Sequence, residues 1–330
     1  MKEIGSDFTL QVKNVQDLFF VSGRVGIKYI LSHLTQRGDK CLIPNYLCES
    51  IQSCFTEYDY YDIHNDLSIS IDSIKSHVSK NNYKIIFIIN YFGRVDKQIS
   101  LLQEVCTSNN ILIIEDFTHN MFSSNLYGDV CLCSYRKSLE TPFGCIVIDK
   151  TKLLPKQNTS FNLKYLISNV TKITGMILKN VSCLKSIWYP ILQCCEKYIE
   201  SVTYNGFDYI NYTFYKYYYD PSNKYIRGSN FIFLHDTLMH KPMIKNEKND
   251  TCYFTYPILF SSRDERELVR SECIKQQIYC PVYWPLDFDV EKKCNHYIAD
   301  RILCIPIDQR YNIDSMKRIQ NVCNIICTND

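Results

Sequence analysis

The sequence predicts an α/β protein whose main sheet is largely parallel and covered by helices on both faces. Two observations carry this. Between residues 18 and 150, continuous apolar runs of strand length alternate with segments of helical spacing, the pattern of strands buried on both faces. After about residue 225 a second, shorter α/β stretch follows. At 330 residues the chain is long enough for a large domain with a smaller one attached.

The elements follow in order. "VGIKYILSHL" has helical spacing, "KCLIPN" is a short strand ending at Pro44, "YLCESIQSCF" returns to helix and "YDYYDI" to strand. Ser70 is the expected N-cap of a helix in "SIDSIKSHVS". "KIIFIINYFG" and "ILIIED" are buried strands on either side of the amphipathic "DKQISLLQEVCTSNN". "DVCLCSY" and "GCIVIDK" complete residues 1–150 as the large domain. Residues 151–225 form a helical insert, with a break expected near Pro190. One apolar face (Leu163, Leu166, Ile167, Val170, Ile173 and Ile177) reads either as packing on the body or a second subunit, or as a basic amphipathic surface. Residues 226–330 form the small domain, with strands in "DTCYFTYPILFSS" and "RILCIPI" and helices in "RDERELVRSECIKQQ" and "NIDSMKRIQNVCNII".

Composition excludes several classes. A net charge of +2 gives no basic face for nucleic acid. No apolar run approaches eighteen residues, so neither a membrane span nor membrane contact is expected, and "MKEIGSDFTL" has no signal-like core. Seventeen cysteines without a C-x-x-C pair or a Cys/His zinc spacing read as free thiols of a reducing cytoplasm, with no metal site.

The chemistry-bearing residues cluster in 110–144. Asp116 ends one apolar strand and Lys137 follows another, and each is costly to bury without a partner or a task. A lysine amine attacks a carbonyl only when deprotonated, and enclosure beside Arg136 favours that state. A pyridoxal phosphate site needs such a lysine for the aldehyde and a carboxylate for the pyridinium nitrogen. Its phosphate needs helix N-terminal N–H groups and hydroxyls. Ser22-Gly23-Arg24, in a turn before a helix, and Ser134 offer these. A structural ion pair is the competing reading of Asp116 and Lys137. Glu115 alternates to the other face of its strand and reads as structural.

At this point the chain resembles a family. "RGDKCLIPNYLCES", "INYFGRVDKQISLLQEVCTSNNILIIEDFTH", "CSYRKSLETPFG", "YPILFSSRDERELVRSECIKQQIYCPVYWPL" and "CIPIDQRYNIDSMKRI" resemble segments of the DegT/StrS nucleotide-sugar aminotransferases, fold-type-I pyridoxal-phosphate enzymes, over nearly the whole length. The last two resemble a subgroup associated with surface-polysaccharide genes. The resemblance implies that Lys137 bonds the cofactor aldehyde and shuttles the proton, and that Asp116 pairs with the ring nitrogen. His119, where the family usually has Gln, would hydrogen-bond the ring's phenolate oxygen. Ser134, Gly23, Arg24 and the Val25 amide would hold the phosphate. Cys48 stands where an aromatic residue usually covers the ring, a place that Tyr46 or Phe92 would take. Tyr283, Trp284, Arg227 and Arg310 would reach substrate, Arg227 standing in for a cross-subunit arginine; core or rim packing is the competing reading of Tyr283 and Trp284, and pairing with an acidic neighbour that of Arg310. The implied protein is a homodimer that transfers an amine, from glutamate in most relatives, to a nucleotide-linked keto-sugar. A sugar dehydratase and a non-catalytic member of the same fold are the alternatives.

Overall fold

The computed structural model describes residues 17–158, 162–203, 206–244, 252–285 and 296–327. The large domain begins with β1 (Leu18–Phe20), α1 (Gly23–Leu34), β2 (Cys41–Pro44), α2 (Glu49–Gln52), β3 (Tyr58–Tyr61) and α3 (Ile71–Val78). It continues through β4 (Ile85–Ile89), α4 (Ile99–Ser108), β5 (Leu112–Asp116), β6 (Val130–Cys133) and β7 (Cys145–Asp149). The stretch read as an insert holds α5 (Leu163–Leu178), α6 (Lys185–Ser201) and α7 (Tyr209–Tyr218). The stretch read as a small domain holds α8 (Asn223–Thr237), β8 (Thr255–Leu259), α9 (Arg263–Lys275), α10 (His296–Arg301), β9 (Ile302–Pro306) and α11 (Ile313–Cys327), and its Phe231, Tyr256 and Ile305 belong to the same buried core as the main sheet.

The seven strands lie in the order β1-β7-β6-β5-β4-β2-β3. All pairings among β2 to β6 are parallel, and β7 runs antiparallel to both neighbours. Strand β6 shows why its sequence is apolar throughout. Val130 and Leu132 enter the main core, whereas Cys131 and Cys133 enter a second core with Phe19, Phe117, Tyr135 and Ile146. Aromatic residues of α7, Tyr212, Tyr215 and Tyr218, pack on that second core. Strands β8 and β9 form a separate antiparallel pair. Ser70 caps α3, accepting from the Ser73 N–H at 3.3 Å.

Three expectations change. The helix break falls in the turn Ser182–Leu184, while Pro190 lies inside α6, in its second turn, where a missing N–H forgoes a single helical bond. The boundary expected between 225 and 226 cuts through α8. The apolar face of α5 does not pack on the body: Leu163, Ile167, Val170 and Ile177 are each more than half exposed, as a face for a second subunit or an amphipathic surface would be. The inward face is Tyr165, Asn169, Lys172 and Gly175. Hydrogen bonding decides this inversion. The Asn211 amide donates to Asn169 Oδ1 and Asp208 Oδ2, both at 3.0 Å, and Asn211 Oδ1 accepts from the Phe143 N–H at 3.0 Å. A buried polar side chain costs little once so paired.

Gly144, in the loop after Lys137, has φ +122°, and a Cβ there would lie 2.2 Å from the Tyr135 ring. Gly144→Ala is expected to lower unfolding stability by about 2–5 kcal/mol, from backbone strain and overpacking together. Urea denaturation of the two proteins measures it.

Candidate active site

The site is built where β4, β5 and β6 end, the edge at which open parallel sheets bind ligands. Strand β5 ends at Asp116, which is buried. Its Oδ1 accepts from the Thr118 N–H at 2.9 Å, and the Thr118 hydroxyl accepts from the Ser134 N–H at 2.9 Å. Thr118 therefore ties the end of β5 to the turn after β6. That turn, Tyr135–Lys137, closes with the Lys137 N–H on the Ser134 carbonyl at 3.2 Å.

Lys137 is solvent-accessible, and what it faces is a cavity of about 840 Å³. The insert lines one side through Lys172, Ile173 and Leu192, and the small domain another through Asp308, Gln309 and Arg310. Asp116 and Lys137 act on each other's charge across the site but form no ion pair. Burial pushes the Asp116 carboxyl up, against the pull of Lys137 and Thr118. Enclosure of Lys137 by the surrounding atoms pushes its amine down, an effect that its contact with solvent weakens; Asp116 opposes it and Arg136 adds to it. A structural ion pair is thus not what the fold makes of these residues.

Glu115 is fully buried on the opposite face of β5. It accepts from the Asn90 amide at 2.7 Å and from the Tyr127 and Gly128 N–H groups at 2.5 and 2.7 Å. All its oxygens are engaged in holding strand ends together.

His119 is buried in a stack of aromatic rings, 4.1 Å from Phe254, 5.5 Å from Phe92 and 5.6 Å from Trp284 between centroids. The Phe92 N–H donates to its Nδ1 at 3.4 Å, which leaves the ring proton on Nε2. Nε2 is buried without a partner. Burial, Lys137 and Arg227 hold this imidazole well below its ordinary pKa, so it is neutral. The site thus contains one unused N–H donor.

At the opposite end, α1 begins beside β6. Ser22 caps it, its Oγ accepting from the Val25 N–H at 3.4 Å, so that amide is partly engaged. A Cβ on Gly23 would lie 3.6 Å from the Ser134 Cβ, placing the helix N-terminus against Ser134. No protein acceptor is recorded, among the described residues, for the Gly23 or Arg24 N–H groups, the Arg24 side chain or the Ser134 hydroxyl. Cys48 is the N-cap residue of α2, half-buried, with Sγ 3.0 Å from Ser50 Oγ, and its thiol acts on Lys137 through space.

The remaining expected residues sit differently. Tyr46 is fully buried with its hydroxyl on the Tyr283 carbonyl, and Phe92 is buried against His119, so neither offers an open face. Trp284 is buried in the same stack, and Tyr283 lies 5.4 Å from His119. Arg227 extends into its own chain rather than outward. Its Nε and Nη2 donate to Gln309 Oε1 at 3.0 and 2.8 Å, and Nη1 donates to the Phe254 carbonyl at 3.3 Å. No carboxylate among the described residues pairs with it, and it lines the cavity. Arg310 also lines it, paired with Asp308 at 2.7 and 2.8 Å. Two residues escaped sequence reasoning, Thr118 and Gln309. Gln309 Nε2 donates to the Ser138 carbonyl at 2.7 Å and so joins the small domain to the Lys137 loop. Thr118, two residues after a strand-ending Asp, is a position from which an N–H returns to the carboxylate.

No family model matches this chain, and no curated protein matches it in sequence. Solved structures do. An aminotransferase of pseudoaminic acid biosynthesis, PseC from Helicobacter pylori, matches with TM-score 0.68 at 13% identity, over 95% of this chain and 87% of the other. NtdA from Bacillus subtilis with bound PMP matches at 0.66 and 13%, over 94% and 73%. A putative sugar aminotransferase from Streptococcus pneumoniae in its PLP form matches at 0.64 and 14%, over 94% and 87%. The chain has the fold-type-I architecture of these proteins.

Asp116 sets a pH dependence on stability. Its folded pKa is raised above the ordinary 3.8, so the cofactor-free fold prefers the neutral acid and loses stability as pH rises through the folded value. Asp116→Asn is expected to denature at a higher temperature than the wild type at pH 8, with the gap closing below pH 3.8. Thermal melts of the cofactor-free proteins across that range measure it.

Proposed function

We propose that this protein is a pyridoxal-phosphate-dependent aminotransferase acting on a keto-sugar. The observation that supports it most is that Asp116, buried at the end of β5, and Lys137, exposed in the turn after β6, act on each other's charge without forming an ion pair. That arrangement suits a ring held at its nitrogen by one and at its aldehyde by the other. The orphaned Nε2–H of His119 suits an acceptor at the ring's phenolate oxygen, and the free N–H groups of Gly23 and Arg24 with the Ser134 hydroxyl suit a phosphate.

Bound there, pyridoxal phosphate supplies an aldehyde that exchanges for the amine and a ring that withdraws electrons from the reacting carbon. The rest is the work of the chain's own groups. Lys137 Nζ would hold the cofactor at its aldehyde and, as the neutral amine, would take a proton at the donor's amine-bearing carbon. Asp116, held by Thr118, would hold the cofactor at its ring nitrogen, whose positive charge would favour the carboxylate. Arg227, a buried guanidinium that no carboxylate among the described residues pairs with, brings positive charge to the cavity that substrate enters, where Arg310 is paired with Asp308. That charge suits an anionic donor such as glutamate and a nucleotide-linked keto-sugar, as in surface-polysaccharide synthesis. The reading includes a homodimer, for which the outward apolar face of α5 offers contact area.

Added pyridoxal phosphate is expected to give the purified protein a visible absorption band that Lys137→Ala abolishes. Turnover with glutamate and a panel of nucleotide-linked keto-sugars then separates an aminotransferase from a dehydratase or a binding protein. A wild-type protein that gives no band sinks the proposal.

A further inference from the structure

One carboxylate joins the helical insert to the loop that carries Lys137. Glu196, on α6, has its Oε1 and Oε2 at 3.3 and 3.2 Å from Arg136 Nη1 and also accepts from the Lys172 ammonium of α5. The Lys172 side chain is only 9% exposed and lies 5.1 Å from the Phe143 ring centroid. The residues around Lys137 are otherwise held by the other two parts of the molecule. The Ser134 N–H is held by Thr118 in the large domain, and the Ser138 carbonyl by Gln309 in the small domain. Arg136 is the member of this loop that the insert holds.

We propose that Glu196 is a positioning residue for Lys137: from the insert it anchors the Arg136 guanidinium and balances the two cations, Arg136 and Lys172, that line the cavity beside the lysine amine. The inference rests on reading Lys137 as the group that bonds the cofactor. One carboxylate against two ammonium-type charges is a small network, and removing it leaves both cations uncompensated at a partly buried place. The charged and titratable groups that face Lys137 are Asp116 of β5, His119 in the turn beyond it, Cys133 of β6, Cys48 at the head of α2 and Arg136 in its own loop. Arg227 of α8, Lys172 and Lys179 of the insert, Glu140 three residues beyond Lys137, and Arg310 with Asp308 line the same cavity. Among the residues lining that cavity, Glu196 is the carboxylate paired with both Arg136 and Lys172. Its loss makes the local field more positive and drives the Lys137 amine further toward the neutral form.

The test is competitive acetylation of the cofactor-free protein with acetic anhydride, in which peptide mass spectrometry reads the reactivity of Lys137 against pH. Glu196→Gln is expected to lower the midpoint of that curve by on the order of half a unit, the size of effect one elementary charge has over on the order of 10 Å at an intermediate dielectric. Glu196→Asp restores the charge and most of the midpoint. Arg136→Gln raises the midpoint, and in that background Glu196→Gln still lowers it, because the lost charge acts on Lys137 through space. With pyridoxal phosphate bound, the pH midpoint of the visible band moves down in Glu196→Gln as well. An unchanged acetylation midpoint in either folded single variant overturns the proposal. Because acetylation needs no cofactor, that outcome stands apart from failure of the cofactor reading, which shows as a wild type without a visible band.

Discussion

Asp116 and Lys137 lie at the ends of neighbouring parallel strands, the carboxylate buried and the amine reaching solvent, and among the described residues no ion pair joins either to a counter-ion. The acid is costly to bury in its charged form, and the cofactor-free fold answers by pushing it toward protonation, while enclosure and Arg136 push the amine toward neutrality. The surrounding structure can be read as the means of keeping the two from collapsing together. Strands β5 and β6 are in parallel register with Asp116 opposite Leu132, which places the two loops side by side. Thr118 then spans from the Asp116 carboxylate to the Ser134 N–H, so neither loop moves without the other. On the far face of β5, Glu115 spends its carboxylate on Asn90, Tyr127 and Gly128, fixing the ends of β4 and β5 from below.

Much of this was legible from sequence because parallel strands buried on both faces write themselves as unbroken apolar runs. Ile85–Ile89 and Leu112–Asp116 read clearly, and the charged residue that ends such a run is conspicuous. Helix α3 was legible from its cap, Ser70. The insert was not, since hydrophobic spacing assumes that polar faces look outward. In α5 they look inward, because Asn169 meets Asn211 and Lys172 meets Glu196. Arg227 was misplaced for a related reason. Its partners are an amide oxygen at Gln309 and a carbonyl at Phe254, and neither residue type signals an arginine partner in a sequence. Glu196, 59 positions beyond Lys137 in the chain, carries no local signal of its link to Arg136.

Three parts of the molecule therefore converge on one short loop, and each contributes a different kind of restraint. The large domain contributes backbone hydrogen bonds whose geometry is set by the sheet. The small domain contributes Gln309, one amide that serves both Arg227 and the Ser138 carbonyl. The insert contributes charge. Backbone bonds set where a residue is, but a charge also sets what protonation state it holds, so the insert bears on the chemistry of Lys137 in a way that the other restraints do not.

The aromatic stack around His119 follows the same logic from the opposite direction. A histidine close to Lys137 and Arg227 would be expected to compete with them for anions if it were protonated. Burial between Phe254, Phe92 and Trp284 removes that option, and both cations reinforce the neutral state. The Phe92 N–H then selects the tautomer, because an acceptor at Nδ1 requires the proton at Nε2. Phe92 can present that N–H because its backbone is left-handed, at φ +54°, with Gly93 following at φ +97°. A Cβ on Gly93 would fall 1.8 Å from the Cys252 carbonyl oxygen, so only glycine lets the β4 loop close against the small domain. The left-handed turn, the glycine and the ring stack together turn an ordinary pH-sensitive side chain into a fixed neutral donor, one whose hydrogen has no acceptor among the described residues.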